Sequence, residues 1–550
     1  MDSASKANSD WSCPIRDFLN PIVVTKAEIT SVRYGSSSMP ITGLEYDSRK
    51  IKEGCLYFAL PGLHADGHDF ISDAINRGAR AVVYQKEPGD YREGITYIRA
   101  NDSRFAMSAI SDAFYNYPSR CMGIIGVTGT EGKSTTVYLI YQLLKLLGKK
   151  TGFISTVQQG DGLTEKWNSE HQTTPEAPVI HRLLAEMYSN GAEFAVIESS
   201  SHALSKKTNR LGDVDFDVAV MTNVTHEHLE FHGSWEQYRN DKAELFRCLD
   251  SSPLSHKKLV PKGEFSVPSF GVVNADDASA AFFASVTKRK TYTFSTRGAD
   301  ADLSLKLIES GACGNWYEVI ASSDGAAITI RDQLPGAFNA GNVLASLLAV
   351  SNLLSIELEE LVPLVPYLKP VRGRMTAISR GQPFEVLVDY AHTPSSFETI
   401  LPPLQNRIKA SGGRLIVLFG SPGERDTKKR KLQGEAAARY SDLIFLTDED
   451  PRGEEPMSIL EEIAAGCETS SRIIRNETLF LVPDRPQAMR RAFSLAREGD
   501  LVLLLGKGHE NSIIYADRTL DYDEIREAET ALEELGYLFT NCSSGAPQTR

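Results

Sequence analysis

Residues 128–135, TGTEGKST, place a lysine and two hydroxyls directly behind a pair of glycines. Glycines let successive backbone N–H groups curl inward, a following helix adds partial positive charge, and Lys133 can neutralise phosphate oxygens. A hydroxyl at Ser134 or Thr135 can then hold Mg²⁺ on a nucleotide. The segment departs from GxxxxGK[ST], because Val127 stands where the first glycine would be, with Gly126 and Gly129 beside it. Its setting supplies the rest. Residues 121–128 (CMGIIGVT) read as a buried strand and residues 134–147 (STTVYLIYQLLKLL) have helical periodicity, so strand, glycine turn and helix together predict a phosphate site.

Other chemistry-bearing types are less specific when read alone. His226, His228 and His232 invite a zinc reading, yet residues 228–232 (HLEFH) lack the Glu directly after the first His that an HExxH base requires. No thiolate set lies nearby, so His226 and His232 are expected to pack or to support neighbours. Lys242, taken by itself, is expected to be a solvated helix lysine.

The elements that must position these groups follow from apolar periodicity. Up to about Ser119, short β-rich runs (CLYFAL, RAVVYQ, ITYIRA) alternate with helical pieces such as FISDAINRGA, which predicts a small α/β domain. Strands are expected at 194–197, 218–221 and 270–273. The pattern restarts near residue 370, with strands at 384–389, 415–419, 443–446 and 501–505 separated by helical stretches. Residues 251–262 (SSPLSHKKLVPK) read as a surface insertion and the last ten residues as a disordered tail. The expected domains are 1–119, 120–370 and 371–550.

Composition bounds the class. A chain of 550 residues, at roughly 150 per domain, predicts three or four domains. With 41% hydrophobic and 24% charged residues it falls in the ordinary globular range. The net charge of −13 argues against a general affinity for nucleic-acid backbones or anionic membranes. Seven cysteines without a CxxC pair fit a reducing compartment. No basic start followed by an apolar run opens the chain, and the most apolar stretch, 343–354, is too short to span a bilayer. A cytoplasmic protein acting on small molecules, monomeric and without a nucleic-acid or membrane partner, is expected.

The form TGTxGKST resembles the ATP loop of the Mur ligase family, the ATP-dependent amide ligases of peptidoglycan precursor synthesis. Five further segments agree in the family's order: 197–202 (IESSSH); 222–230 (TNVTHEHLE) with Lys242 beyond; 334–342 (LPGAFNAGN); 373–375 (GRM); and 388–394 (VDYAHTP). At the ends, 47–49 (DSR), 66–70 (DGHDF), 423–426 (GERD), 450–452 (DPR) and 506–510 (GKGHE) resemble the branch that adds a diamino acid. The resemblance covers roughly residues 40–535. It implies an α/β fold of three domains: a small N-terminal UDP-binding domain, a central P-loop-like ATPase domain with a parallel sheet, and a C-terminal Rossmann-like domain.

The resemblance also implies roles. ATP would be held by Thr128, Gly129, Thr130, Glu131, Gly132, Lys133, Ser134 and Thr135, with Asn339, Asn342, Arg374 and Asp389 at adenine and ribose. The last two come from the third domain, so closure on binding is expected. Ser134 or Thr135 and Glu198 would bind one Mg²⁺, and His228 would help bind a second. Lys242 matches the lysine that relatives carry as a carbamate: an amine that loses its proton can add CO₂ and become an anion able to sit near Mg²⁺. Lys133, Glu198, His228 and Lys242 are thus the expected catalytic residues.

The UDP-muramoyl dipeptide would meet Tyr46, Ser48, His64, Thr173, Thr174, Ser200 and Arg210. The diamino acid would meet Arg425, Glu449, Asp450, Arg452, Gly506 and Glu510, since guanidinium groups hold carboxylates and Glu510 can hold an ammonium. Where relatives adding diaminopimelate have Asp-Asn-Pro-Arg, residues 449–452 read Glu-Asp-Pro-Arg. Arg452 favours an acceptor with a distal carboxylate, meso-diaminopimelate; Asp450 favours a distal ammonium without one, lysine or ornithine. Two other functions compete: a folylpolyglutamate synthetase-like ligase, which would not explain residues 47–49 or 506–510, and a precursor-sensing nucleotide-binding module without catalysis.

Overall fold

The computed structural model describes residues 11–35, 40–62, 65–168, 172–225, 229–251, 267–311, 314–322 and 325–537. One compact unit reaches Glu309 and includes Trp316–Asp332 and Phe338–Leu368; the other holds Ser310–Asn315, Gln333–Ala337 and the chain from Lys369 onward.

In the first unit, a five-stranded sheet runs in the order Ile29–Arg33, Thr96–Ala100, Ala81–Tyr84, Cys55–Phe58, Gly43–Glu45. Only Ile29–Arg33 pairs antiparallel. The Ser103–Phe114 helix packs on it, started by Asp102, whose carboxylate accepts from Arg104 N at 2.7 Å.

A larger sheet of eleven strands follows. Its parallel centre is Thr151–Ile154, Phe194–Glu198, Gly123–Thr128, Val218–Met221, Phe270–Asn274 and Thr291–Ser295, in that spatial order. The first four are buried along their whole length, which is why they read as unbroken apolar runs rather than alternating ones. The Lys133–Leu146 and Ala177–Ser189 helices and the buried Asn339–Leu354 helix belong to the same unit. Apolar stretch 343–354 is thus a core helix, and among the described residues no single helix is long and apolar enough to cross a membrane.

In the second unit a six-stranded sheet is ordered Thr376–Ile378, Glu385–Asp389, Leu501–Leu505, Leu415–Phe419, Leu443–Leu446, Leu479–Leu481. All pairs but the first are parallel. Two apolar layers cover its faces.

The expected strands agree with these elements to within a residue or two at each end. The β-hairpin of Gln158–Gly160 and Glu165–Trp167 was not anticipated: its residues are mostly polar, and it is held by pairing to the sheet edge and by Lys145 on Glu165 at 2.9 Å. The expected insertion, beyond residue 251, and the expected tail lie outside the described residues.

Candidate functional site

The loop between the Gly123–Thr128 strand and the Lys133–Leu146 helix is held from behind by the segment after Val218–Met221. Thr222 Oγ1 donates to Glu131 O at 2.6 Å and Glu131 N donates to Asn223 Oδ1 at 2.8 Å. Gly129 (φ +152°) and Gly132 (φ +80°) allow no side chain: a Cβ would stand 1.9 Å from Thr222 Oγ1 at the first and 2.5 Å from Asn342 Oδ1 at the second. Lys133 Nζ donates to Thr130 O at 2.7 Å, which keeps the ammonium over the loop.

Glu198 ends the strand beside the loop and is buried. Its Oε1 accepts from Ser134 Oγ at 3.0 Å, and its Oε2 accepts from Thr156 N at 2.8 Å. Two hard oxygens 3.0 Å apart match the edge of an octahedron whose metal–oxygen distance is about 2.1 Å, so this pair fits Mg²⁺. His226 and His228 lie outside the described residues. His232 turns both ring nitrogens to protein partners, Asp241 and Ser201, which explains it without zinc.

Lys242 is not the solvated lysine that its residue type suggests. It is 1% exposed, lies within the Trp235–Ser251 helix, and its Nζ donates to Gly129 O at 2.6 Å while standing 4.4 Å from the Tyr238 ring centre. The helix therefore brings Lys242 onto the phosphate loop across 113 residues of chain.

Thr174, Ser200 and Arg210 also meet. Thr174 Oγ1 donates to Glu198 O at 2.7 Å and accepts from Ser200 N at 3.1 Å; Arg210 donates to Thr174 O at 2.8 Å and pairs with Glu176 at 2.9 Å. Thr173 is half-buried beside them. Ser48 sits in a turn started by Asp47, which accepts from Arg49 N at 3.0 Å, and Tyr46 packs against the N-terminal core. His64 lies outside the described residues.

Asn339 and Asn342 open the Asn339–Leu354 helix. Asn342 Oδ1 accepts from Thr136 at 3.2 Å and its amide donates to Asn339 at 2.9 Å, so both stand beside the loop. In the second unit, Asp389 is buried and accepts from Met375 N at 2.8 Å and Ala391 N at 2.7 Å. Burial pushes its carboxyl up from the ordinary range, with Arg374 and the two N–H groups opposing. The Arg374 guanidinium stacks 4.7 Å over the Tyr390 ring.

The residues expected to meet the diamino acid follow the carboxyl ends of two parallel strands with Leu415–Phe419 between them, the end at which open α/β sheets bind ligands. After Leu443–Leu446 come Glu449, Asp450 and Arg452; after Leu501–Leu505 come Gly506, Lys507 and Glu510. Buried Lys507 Nζ bridges Asp450 at 2.9 Å and Glu510 at 2.6 Å, and Asp450 also accepts from Ile514 N at 3.0 Å. Burial alone would lower the Lys507 pKa; the two carboxylates outweigh it and raise it. Glu449 Oε2 is buried with no hydrogen-bond partner among the described residues, and burial raises its carboxyl pKa. Arg452 takes a left-handed backbone (φ +54°) secured by its N–H on Ile514 O at 2.9 Å, whereas Arg425 is exposed.

The expected residue set omitted Lys507, Tyr390, Thr222, Asn223 and Thr156. The first four lie inside quoted motifs, so position within the motif was the available signal. Thr156 acts through its backbone, which residue type does not announce.

Three family models match: "Mur ligase family, catalytic domain" over residues 40–115, "Mur ligase middle domain" over 127–350, and "Mur ligase, glutamate ligase domain" over 373–508. The UDP-N-acetylmuramyl-tripeptide synthetase of Treponema denticola is 49% identical over 522 residues, covering 91% of this chain and 95% of the relative. That of Treponema pallidum is 49% identical over 538 residues, 94% and 98% of the two chains. The UDP-N-acetylmuramoyl-L-alanyl-D-glutamate–2,6-diaminopimelate ligase of Geobacillus kaustophilus is 36% identical over 497 residues, 90% and 96%. A solved structure of a ligase with that last name superposes with a TM-score of 0.60 at 26% identity, covering 96% of this chain and 99% of the other. The chain belongs to the Mur ligase family, with that family's three-domain α/β fold.

Proposed function

We propose that the chain is an ATP-dependent amide ligase of peptidoglycan precursor synthesis, joining a diamino acid to the D-glutamyl carboxylate of UDP-MurNAc-L-Ala-D-Glu. The observation that carries this is the Ser134–Glu198 oxygen pair beside a lysine-headed phosphate loop, in a chain alike over nine-tenths of its length to tripeptide synthetases. The precursor carboxylate attacks the γ-phosphorus of ATP, giving an acyl phosphate and ADP. The acceptor amine then attacks the acyl carbon and releases phosphate. Every partner but the amine is anionic, so the protein's task is to gather and neutralise.

Lys133 supplies a fixed positive charge to the phosphates. Ser134 or Thr135 and Glu198 would hold Mg²⁺, with His228 toward a second ion, and the metal would supply further charge neutralisation on the phosphates. Lys242 as a carbamate would add a carboxylate at the loop; the carbamate nitrogen keeps one N–H, which can still donate to Gly129 O. Thr173, Thr174, Ser200 and Arg210, with Tyr46, Ser48 and His64, are assigned to the UDP-muramoyl precursor. The domains run 1–119, 120–370 and 371–550.

For the acceptor, Asp450 and Glu510 both pair with Lys507, at 2.9 and 2.6 Å. The Asp450 carboxylate, where relatives adding diaminopimelate have Asn, supports an acceptor with a distal ammonium, lysine or ornithine, over diaminopimelate. Purified protein with Mg²⁺, ATP and the muramoyl dipeptide is offered lysine, ornithine and meso-diaminopimelate in turn, with ADP and the new peptide both measured. Product with lysine or ornithine is expected. No peptide with any diamine ends the ligase reading; preference for diaminopimelate ends only the acceptor assignment.

A further inference from the structure

Ser201, His232 and Asp241 come from three separate segments and meet in the interior. His232 Nδ1 lies 2.6 Å from Asp241 Oδ2, and Nε2 lies 3.1 Å from Ser201 Oγ; all three residues are at most 4% exposed. A carboxylate only accepts, so Nδ1 carries a proton, and in the neutral ring Nε2 accepts from the Ser201 hydroxyl. This is the order of a nucleophilic triad, but the serine oxygen is enclosed and the imidazole is packed among Phe231, Tyr238 and His202, which leaves no approach for a scissile bond.

What the three share is adjacency to the machinery. Ser201 directly follows Ser200 and stands three residues after Glu198; Asp241 directly precedes Lys242; His232 follows His228 by four. The second Asp241 oxygen accepts from Gln237 of the same helix at 2.8 Å, so the carboxylate is held on both sides. We infer that His232 is a positioning residue that ties the helix carrying Lys242 to the turn after Glu198, and thereby sets where Lys242 Nζ stands on the phosphate loop. The inference rests on the ligase reading, since it assigns a role in that reaction. Its physical basis is that misplacing a reacting-site group by about 1 Å can cost on the order of a hundredfold in rate.

Two conservative replacements separate the two hydrogen bonds. In H232N the side-chain amide can take the place of Nδ1 and keep Asp241, giving up Ser201. In H232Q it can take the place of Nε2 and keep Ser201, giving up Asp241. Steady-state rates are measured with ATP, the muramoyl dipeptide and a diamino acid, with thermal unfolding of each variant as a control. Each variant releases one end of the tie, so H232Q and H232N are both expected to lower kcat about a hundredfold with KM for ATP and precursor within about twofold. In a Lys242→Ala background H232Q is expected to cost less than about threefold more, because the group it positions is gone. Wild-type kcat in either H232N or H232Q, or a full hundredfold further loss beside Lys242→Ala, would overturn the assignment. Should H232Q not fold, S201A, which removes the Ser201 end of the tie, takes its place in the same cycle with the same expectations. Wild-type protein that makes no product would end the ligase reading itself, before any variant is compared.

Discussion

Glu198 serves two structures with one carboxylate: one oxygen faces the Ser134 hydroxyl and the other takes the Thr156 N–H, so the carboxylate beside the glycine loop is oriented by the backbone. Lys242 is comparably constrained, and removing it leaves a gap against Gly129 rather than a shortened surface chain. Lys242→Ala is expected to lower kcat at least a hundredfold, and added acetate to restore part of it by standing in for a carbamate. No rescue across a range of small carboxylates would count against the carbamate. Asp450→Asn keeps an oxygen for Lys507 and Ile514 but removes one negative charge from the loops proposed to meet the acceptor. The ratio of kcat/KM for diaminopimelate over lysine is expected to rise about tenfold or more, and an unchanged ratio would refute Asp450 as the source of that preference.

At the scale of elements, the N-terminal Ser103–Phe114 helix and the central Ala177–Ser189 helix meet over a buried pair, Asp112 and His181, with Nδ1 and Oδ1 3.5 Å apart. Burial pushes the Asp112 carboxyl up to about 7, with Asp213 adding to the rise and Arg120 opposing it; burial pushes His181 down to about 4. An acid raised on folding holds its proton in the folded chain where the unfolded chain has lost it, so its contribution to stability declines as pH rises from about 4 to 7. His181 acts in the other direction, costing stability as pH falls below about 6.5. Asp112→Asn removes the first effect and leaves the second. The variant should be more stable than wild type by roughly 1–3 kcal/mol at pH 8, with little gain near pH 4, in urea unfolding. An equal difference at both pH values would show that Asp112 does not titrate on folding.

Across the whole molecule, two compact units make a single unfolding free energy ill-defined, so ligand effects belong to the unit that binds. ADP with Mg²⁺ at a hundred times its Kd should stabilise the unit carrying the phosphate loop by about 2.7 kcal/mol, seen as a rise in its thermal transition. Lys133→Ala should abolish that rise and ATP turnover together, while leaving the ligand-free transition within a few degrees. A rise that survives Lys133→Ala would place nucleotide binding elsewhere.

Residue order alone determined the parallel strands, because strands covered on both faces need unbroken apolar runs such as GIIGVT and LIVLF, and it determined the phosphate loop, because only glycine tolerates that turn. Tertiary structure decided what distance along the chain conceals. Lys242, singled out by resemblance but a plain helix lysine by residue type, is carried to Gly129 by the fold, and His232, expected to pack or to support neighbours, is given Asp241 and Ser201 as its partners. Asp450 looks like a free negative charge until Lys507, 57 residues on, is set against it. Local pattern specifies which backbone forms, while burial and charge pairing depend on neighbours that only packing supplies.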